Sequence, residues 1–253
     1  MARKHNERFR GREEITIFGR RAVMEALTCA DVSVLKIAAA REIVGSFGVV
    51  LGRAAADAGL ELEFMGPREI SRLSADARND QGVVARIALK KVSPLTDFLS
   101  RQSAAARLIA LDNVTNPQNV GMIVRSAVGA GLAGMLWPLA GSPWVSGLVI
   151  KSSASAIYRC PIVTTPSLAE GLGAMKQAGF SVVGLAAGKH PSLFEHRPRT
   201  RAVYIVGSET EGLSPETEAL LDERLSIPMS NQVESLNVAV AASLVCFHVA
   251  HAR

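Results

Sequence analysis

An α/β fold in two domains is predicted by three features of the sequence. Short apolar runs alternate with helical patterns along most of the chain, the alternation breaks at a Lys-, Pro- and Ser-containing stretch near residue 90, and 253 residues, enough for one large domain or two modest ones, can bury a substantial core. Ahead of the first block lies a basic tail, residues 1–14, in which Arg3, Lys4, Arg8, Arg10 and Arg12 outnumber Glu7, Glu13 and Glu14. Such an arm can neutralise phosphates or simply stay solvated, and the sequence leaves both open.

Residues 15–91 carry strand signals near Ile15–Phe18, Ser33–Ala38, Leu60–Met65 and Val83–Leu89, with helical patterns between them. Pro67 stands where a first-turn proline opens a helix, and Gly59 where a helix ends. The pattern is that of a small α/β sandwich. Residues 92–106 read as a linker with a helical turn or two. From 107 to 253 strands are predicted at Arg107–Asp112, Gly134–Trp137, Phe180–Ala186, Ala202–Val206 and Leu225–Ile227, and helices at Pro117–Gly131, Leu168–Ala178 and Pro215–Leu221. A long apolar helix, expected to be buried all round, closes the chain. Strands alternating with helices imply a parallel sheet with helices on its faces.

Chemistry concentrates in three segments of this second block. In Asn113–Arg125 a strand runs into a helix with Asn116 as N-cap and Pro117 as first residue, so Asn119, Arg125 and Ser126 share one helix. Arg125 lies about 120° around that helix from Asn119 and must use its length to reach the same cleft. In Ala202–Ser214 a buried strand enters a polar loop flanked by Gly207 and Gly212, where Glu209 can accept hydrogen bonds from hydroxyls or an amine. In Leu225–Ser243 an apolar strand ends at Pro228, and a polar loop delivers Ser235 and Asn237 to the start of the last helix. Alone, each segment has a plainer explanation: a surface arginine, a tight turn with a solvated carboxylate, a serine cap.

A formal charge of +5 and a pI near 9.4 favour a polyanionic partner without proving one. Cys29, Cys160 and Cys246 are scattered, without paired zinc spacing and odd in number, which points to reduced thiols rather than a secreted disulfide framework, and to no metal site. The basic start is followed by no apolar stretch of signal-peptide length, and no segment reaches membrane-spanning length, so a cytoplasmic location is expected. No Gly-x-Gly-x-x-Gly follows the first strand of either block, which speaks against a Rossmann-type nucleotide site.

Taken in order, the three segments resemble the three motifs of SpoU-type methyltransferases in the SPOUT superfamily, over essentially all of 107–253. Asn119, Gly121 and Arg125 match the first motif; Gly207, Glu209, Gly212 and Leu213 the second; Ile227, Pro228 and Met229 with Ser235, Leu236, Asn237 and Val238 the third. Ile17–Leu27 and Asp80–Ala85 are similar to the ribosomal-protein-like substrate-binding domain that many such enzymes carry. The resemblance implies a deep trefoil knot and a homodimer packed partly through the last helix, where Leu236, Val240, Leu244 and Phe247 form an apolar stripe. It implies S-adenosylmethionine as cofactor, held largely by backbone at Gly207, Ile227, Met229 and Leu236, with Ala186 a further contact. It implies methylation of a ribose 2′-hydroxyl in structured RNA, ribosomal RNA favoured over transfer RNA. Arg125 then has a central part, either as base or, more simply for a guanidinium that stays protonated, as phosphate anchor or support for a developing alkoxide, with Asn119, Glu209, Ser235 and Asn237 orienting the groups around it.

Three positions depart from the family pattern: Thr210, Asn231 and Ser155 stand where glycine is usual. Asn tolerates a positive φ far better than a β-branched residue, so Thr210 is the expected point of strain. The alternative these departures raise is a knotted RNA-binding protein that has lost methyl transfer.

Overall fold

The computed structural model describes residues 14–43, 45–101 and 105–252. The chain forms two units, one of Met1–Lys91 with Val145–Tyr158, the other of Val92–Trp144 with Arg159–Arg253. The basic tail, apart from Glu14, lies outside the described residues.

In the first unit β1 (Glu14–Phe18), β2 (Val32–Ala40), β3 (Leu62–Met65) and β4 (Val83–Leu89) make a four-stranded sheet in the order β1-β4-β2-β3, mixed because β2 and β3 run parallel and the other pairs antiparallel. Ile37, Ala38, Ala39 and Ala40 are all buried, so both faces of β2 are covered. Helices α1 (Arg20–Thr28) and α2 (Ser46–Asp57) bury Val23, Ala26, Leu51 and Ala55, while Ile70 of α3 (Pro67–Ser74) packs on Ala38, Ala40 and Val84. Pro67 begins its helix as expected, and Gly59, at φ +70°, follows the α2 C-cap.

The sequence reading assigned 145–158 to the second block, and here the structure differs. Helix α6 (Gly147–Ser152) belongs to the first unit, because its start sits on the Phe18 ring so closely that a Cβ at Gly147 would lie 2.4 Å from Phe18 Cε1. Lys151 Nζ donates to Asn79 Oδ1 at 3.0 Å, and the Tyr158 hydroxyl donates to the Ala22 carbonyl at 3.1 Å. Burial pushes the Tyr158 phenol up, and the nearby Glu25 carboxylate adds to it, so the group stays a neutral donor. None of these partners is visible in local periodicity.

The second unit is a seven-stranded, all-parallel sheet in the order β11-β9-β10-β6-β7-β8-β5. Its strands are β5 (Val92–Pro94), β6 (Ala106–Leu111), β7 (Gly134–Pro138), β8 (Ile162–Thr165), β9 (Ser181–Leu185), β10 (Arg201–Val206) and β11 (Glu223–Leu225). The helices of this unit are α4 (Leu95–Ser100), α5 (Pro117–Ala130), α7 (Leu168–Gln177), α8 (Pro215–Glu218) and α9 (Val238–His251). One core joins Leu108, Ala110, Leu136, Val163, Val203 and Ile205 of the sheet to Leu172 and Met175 of α7 and to Leu95 of α4. The buried side of α5, with Val120, Ile123, Val124 and Ala127, packs against α9.

The expected linker 92–106 is therefore no free connection. Val92–Pro94 pairs with β8 as the edge strand, and Leu95 enters the core. A three-residue strand gives no periodic signal, and the same brevity hid β8. The last strand ends at Leu225 rather than Ile227, because the Ser226 N–H leaves the ladder to donate to the Pro191 carbonyl at 2.9 Å. Nor is α9 buried all round, since Val240 and Phe247 are 49% and 47% exposed.

Candidate active site

Leu111, Val206, Leu185 and Leu225 occupy one row across β6, β10, β9 and β11. The segments that follow, from Asp112, Gly207, Ala186 and Ser226, consequently leave the sheet side by side at its carboxyl edge, where open α/β sheets bind ligands. Neighbouring strands sit ~4.8 Å apart, so residues far apart in sequence are brought within side-chain reach.

The β6–α5 connection turns at Asn113, whose φ of +53° suits asparagine, and Asn116 caps α5 by accepting from the Gln118 N–H. After β10 the loop folds back on itself, with Ser208 N–H donating to the Gly212 carbonyl at 2.9 Å and Gly212 N–H to the Ser208 carbonyl at 3.0 Å. This closure needs glycine at 207, where a Cβ would stand 2.2 Å from the Gly212 oxygen. Asp112, buried at 4% exposure, anchors the far end of the loop by accepting from the Ser214 N–H at 2.6 Å. By periodicity Asp112 is only the last residue of a strand, yet an acid closing an apolar strand is itself a signal, because a buried carboxylate needs donors.

The loop holds Glu209 against α5 and α9. One of its oxygens, Oε1, accepts from Asn237 Nδ2 at 2.6 Å, from Asn119 Nδ2 at 3.2 Å and from the Val238 N–H at 3.3 Å. Asn237 also donates to Asn119 Oδ1 at 3.2 Å, which closes a triangle of one carboxylate and two amides. Asn119 is buried at 4% exposure, whereas Glu209 reaches solvent, and among the described residues Oε2 makes no hydrogen bond. The cluster thus presents one fixed carboxylate oxygen as an acceptor toward an incoming group. Its charge also faces the first turn of α9, where free N–H groups and the helix dipole favour an anion.

Three of the five expected catalytic residues, Asn119, Glu209 and Asn237, are brought together in this way. Arg125 and Ser235 are not: both are exposed and neither bonds to the cluster. Asn119 faces the core and Arg125 the solvent, as their separation around the helix requires. The cap of α9 is Asn237, whose Oδ1 accepts from the Ala239 and Val240 N–H groups, and the serine two residues earlier plays no part in it. Ser126, on the Asn119 stripe, shares a hydrogen bond of 2.7 Å with Ser243 of α9 and ties the two helices.

Of the residues expected at a cofactor, Ala186 donates its N–H to the Leu225 carbonyl at 2.9 Å, and Gly207 begins the closed loop. Ile227 and Leu236 are half-buried and Met229 is 36% exposed, so the loops after β9, β10 and β11 offer apolar side chains and backbone groups without a charge among these five. The departures from glycine are resolved by backbone geometry. Asn231 and Ser155 sit at φ +55° and +61°, the left-handed region glycine would occupy. Thr210 is absent from that region, so its branched Cβ costs no strain, contrary to expectation.

Residues 106–247 match the model of the SpoU rRNA methylase family, and residues 16–92 match a model described as RNA 2′-O ribose methyltransferase substrate binding. An uncharacterized tRNA/rRNA methyltransferase of Mycobacterium tuberculosis is 32% identical over 96% of this chain and 76% of its own length. One from Synechocystis is 33% identical, over 69% of this chain and 46% of that protein. Among solved structures, the SpoU methyltransferase AviRb from Streptomyces viridochromogenes, in complex with AdoMet, superposes with a TM-score of 0.74 at 24% identity, covering 97% of this chain and 92% of that one, which shows a shared fold. Family models thus match both the sheet that carries the Glu209 cluster and the smaller domain before it, and the chain belongs to the SpoU rRNA methylase family.

Proposed function

We propose that the protein transfers a methyl group from S-adenosylmethionine to a ribose 2′-hydroxyl of structured RNA, ribosomal RNA rather than transfer RNA, as a cytoplasmic homodimer. The observation that carries this reading is the Glu209–Asn119–Asn237 cluster, a positioned acceptor at the carboxyl edge of a parallel sheet. The donor supplies an activated methyl on a sulfonium. The apolar and backbone lining at Ala186, Gly207, Ile227, Met229 and Leu236 fits an adenosyl group, and the chain must align a weak nucleophile with that methyl. Glu209 Oε2 is the acceptor that can hold a hydroxyl or the donor's ammonium. Arg125, exposed on α5, is suited to anchor an RNA phosphate or stabilise a developing alkoxide, because a guanidinium stays protonated. Ser235, on the exposed loop before α9, is the second group left to contact RNA.

The homodimer is supported by the stripe that α9 leaves uncovered. Val240 and Phe247, with Met122 of α5, are 41–49% exposed, and Phe247 lies over Gly129 of α5. A second copy would bury that stripe and make the last helix apolar on all its contacts. The cytoplasm is supported by the buried thiols of Cys29, Cys160 and Cys246. The binding-only alternative drew on Thr210, whose unstrained backbone removes its main support.

Tritiated-methyl transfer to bulk RNA tests the reading directly, with nuclease digestion to nucleosides locating the label. Label on 2′-O-methylribose supports it. Label on a base would refute the ribose assignment, and tight RNA binding with no heat for donor or product in calorimetry would favour the binding-only protein.

A further inference from the structure

A cavity of about 280 Å³ opens in the first unit, and none of the Glu209, Asn119 and Asn237 cluster lines it. It lies where α6 and the turn after it meet β1, α1 and the 79–82 turn, and its polar lining is Arg21, Asn79, Gln81, Lys151 and Ser155, with Phe18 at one wall. Among the described residues two cations and no carboxylate line it. Arg21 spends one N–H on Glu25 at 3.0 Å with its side chain 81% exposed, and Lys151 spends one on Asn79 at 3.0 Å, so both keep donors for an anion. Gln81 Oε1 accepts from the Arg20 N–H at 2.9 Å, while its amide NH2 makes no hydrogen bond among the described residues.

The backbone around the cavity is unusual as well. Gly19, Gln81, Ala154 and Ser155 all hold positive φ, at +89°, +52°, +48° and +61°, three of them without being glycine. Such strain persists where surrounding structure enforces it, and it collects at ligand sites. The volume is at the small end for a ligand pocket, enough for one nucleotide and too little for a duplex.

We infer that this cavity receives a single unpaired nucleotide of the RNA substrate, away from the methylated one, with its phosphate between Arg21 and Lys151 and its base edge at the Gln81 amide. The inference rests on RNA being the substrate. Proteins read RNA sequence mainly where unstacked bases can be splayed out, and an amide beside two cations suits a base edge joined to a phosphate. The site adds α6 and the 154–155 turn to a surface that the smaller domain alone cannot form.

The test uses the full chain and a single-stranded, random-sequence 12-mer RNA carrying 4-thiouridine, read by fluorescence anisotropy and by mapping photocross-links. Peptides holding Phe18–Ala22 or Gly147–Tyr158 should carry cross-links. Lys151→Ala and Arg21→Ala should each weaken binding at least about threefold and lower the salt slope by about one. Ala22→Leu, which fills the cavity without changing charge, should weaken binding by a similar factor and leave the slope alone. Donor binding and thermal midpoints measured beside these show whether each variant is folded, and Gln81→Glu offers a second probe of the base edge if Ala22→Leu is not. Wild-type affinity in both Lys151→Ala and the folded cavity variant, or cross-links confined to other peptides, overturns the inference. Cross-links at the cavity without methyl transfer to bulk RNA refute the proposed function and leave the cavity standing; transfer to bulk RNA without such cross-links does the reverse.

Discussion

Glu209 sits in a solvated loop, yet three donors converge on one of its oxygens. Glu209→Gln keeps that oxygen and its shape while removing the charge, so the fold should change little and methyl transfer should fall at least about a hundredfold, the scale of losing one positioned electrostatic group; donor affinity falls with it only if Oε2 holds the donor's ammonium rather than the hydroxyl. Single-turnover kinetics with calorimetry checks this, and undiminished transfer would return Glu209 to a turn-stabilising role. Arg125→Ala should also cost at least about a hundredfold in turnover, but with stability within about 0.5 kcal/mol, because the side chain is exposed. Lys at 125 should rescue only part, since it keeps charge and loses the planar fork. Asn119, Glu209 and Asn237 were legible as candidates because their motifs are ordered along the chain. Their triangle was not, because hydrogen bonds between residues 28, 90 and 118 positions apart leave no local trace.

Among elements, α9 carries two tasks at one residue. Asn237 caps the helix through Oδ1 and binds Glu209 through Nδ2. Asn237→Ala should therefore cost about 1 kcal/mol for the cap alone, with more for the carboxylate left short of donors. Asn237→Asp separates the two tasks, since aspartate caps as well but places a second carboxylate where an amide now stands 2.6 Å from Glu209. Paired carboxylates raise one pKa, so the like-charge penalty should be present at neutral pH and fade as pH falls through the carboxylate range. Urea unfolding at pH 7 and pH 4, compared with wild type, reads that difference. The loop before this helix yields a further prediction. Asn231→Gly should change donor affinity by less than about tenfold, or 1.4 kcal/mol, because asparagine already adopts the left-handed turn at φ +55°. Thr210→Gly should bring no gain, and a large gain in calorimetry would mean the loop is strained after all. The structure corrected the sequence reading mostly at short elements: β5, β8 and α6 are three, four and six residues long, below the length at which periodicity speaks.

For the whole molecule, the two blocks read from sequence are not the units that pack. A fragment of residues 107–253 loses the β5 edge and Leu95 from one core, and strips Phe18, Ala22 and Asn79 from segment 145–158. It should melt lower than the full chain and methylate RNA poorly, whereas a 92–253 fragment should recover the part of the loss due to β5 and α4. Scanning calorimetry of the three proteins checks this, and equal midpoints for the two fragments would show that the edge strand adds nothing. Fold class, the positions of the longer strands and helices and the identity of the motifs were set by properties a sequence carries locally: the period of apolar residues, proline and asparagine at helix starts, glycine at tight turns. Tertiary structure alone decided the order of strands in each sheet, that 145–158 joins the first unit, and that a single carboxylate oxygen gathers the donors. Those outcomes depend on which surfaces meet across a parallel sheet, and residues adjacent there are separated by whole crossovers along the chain.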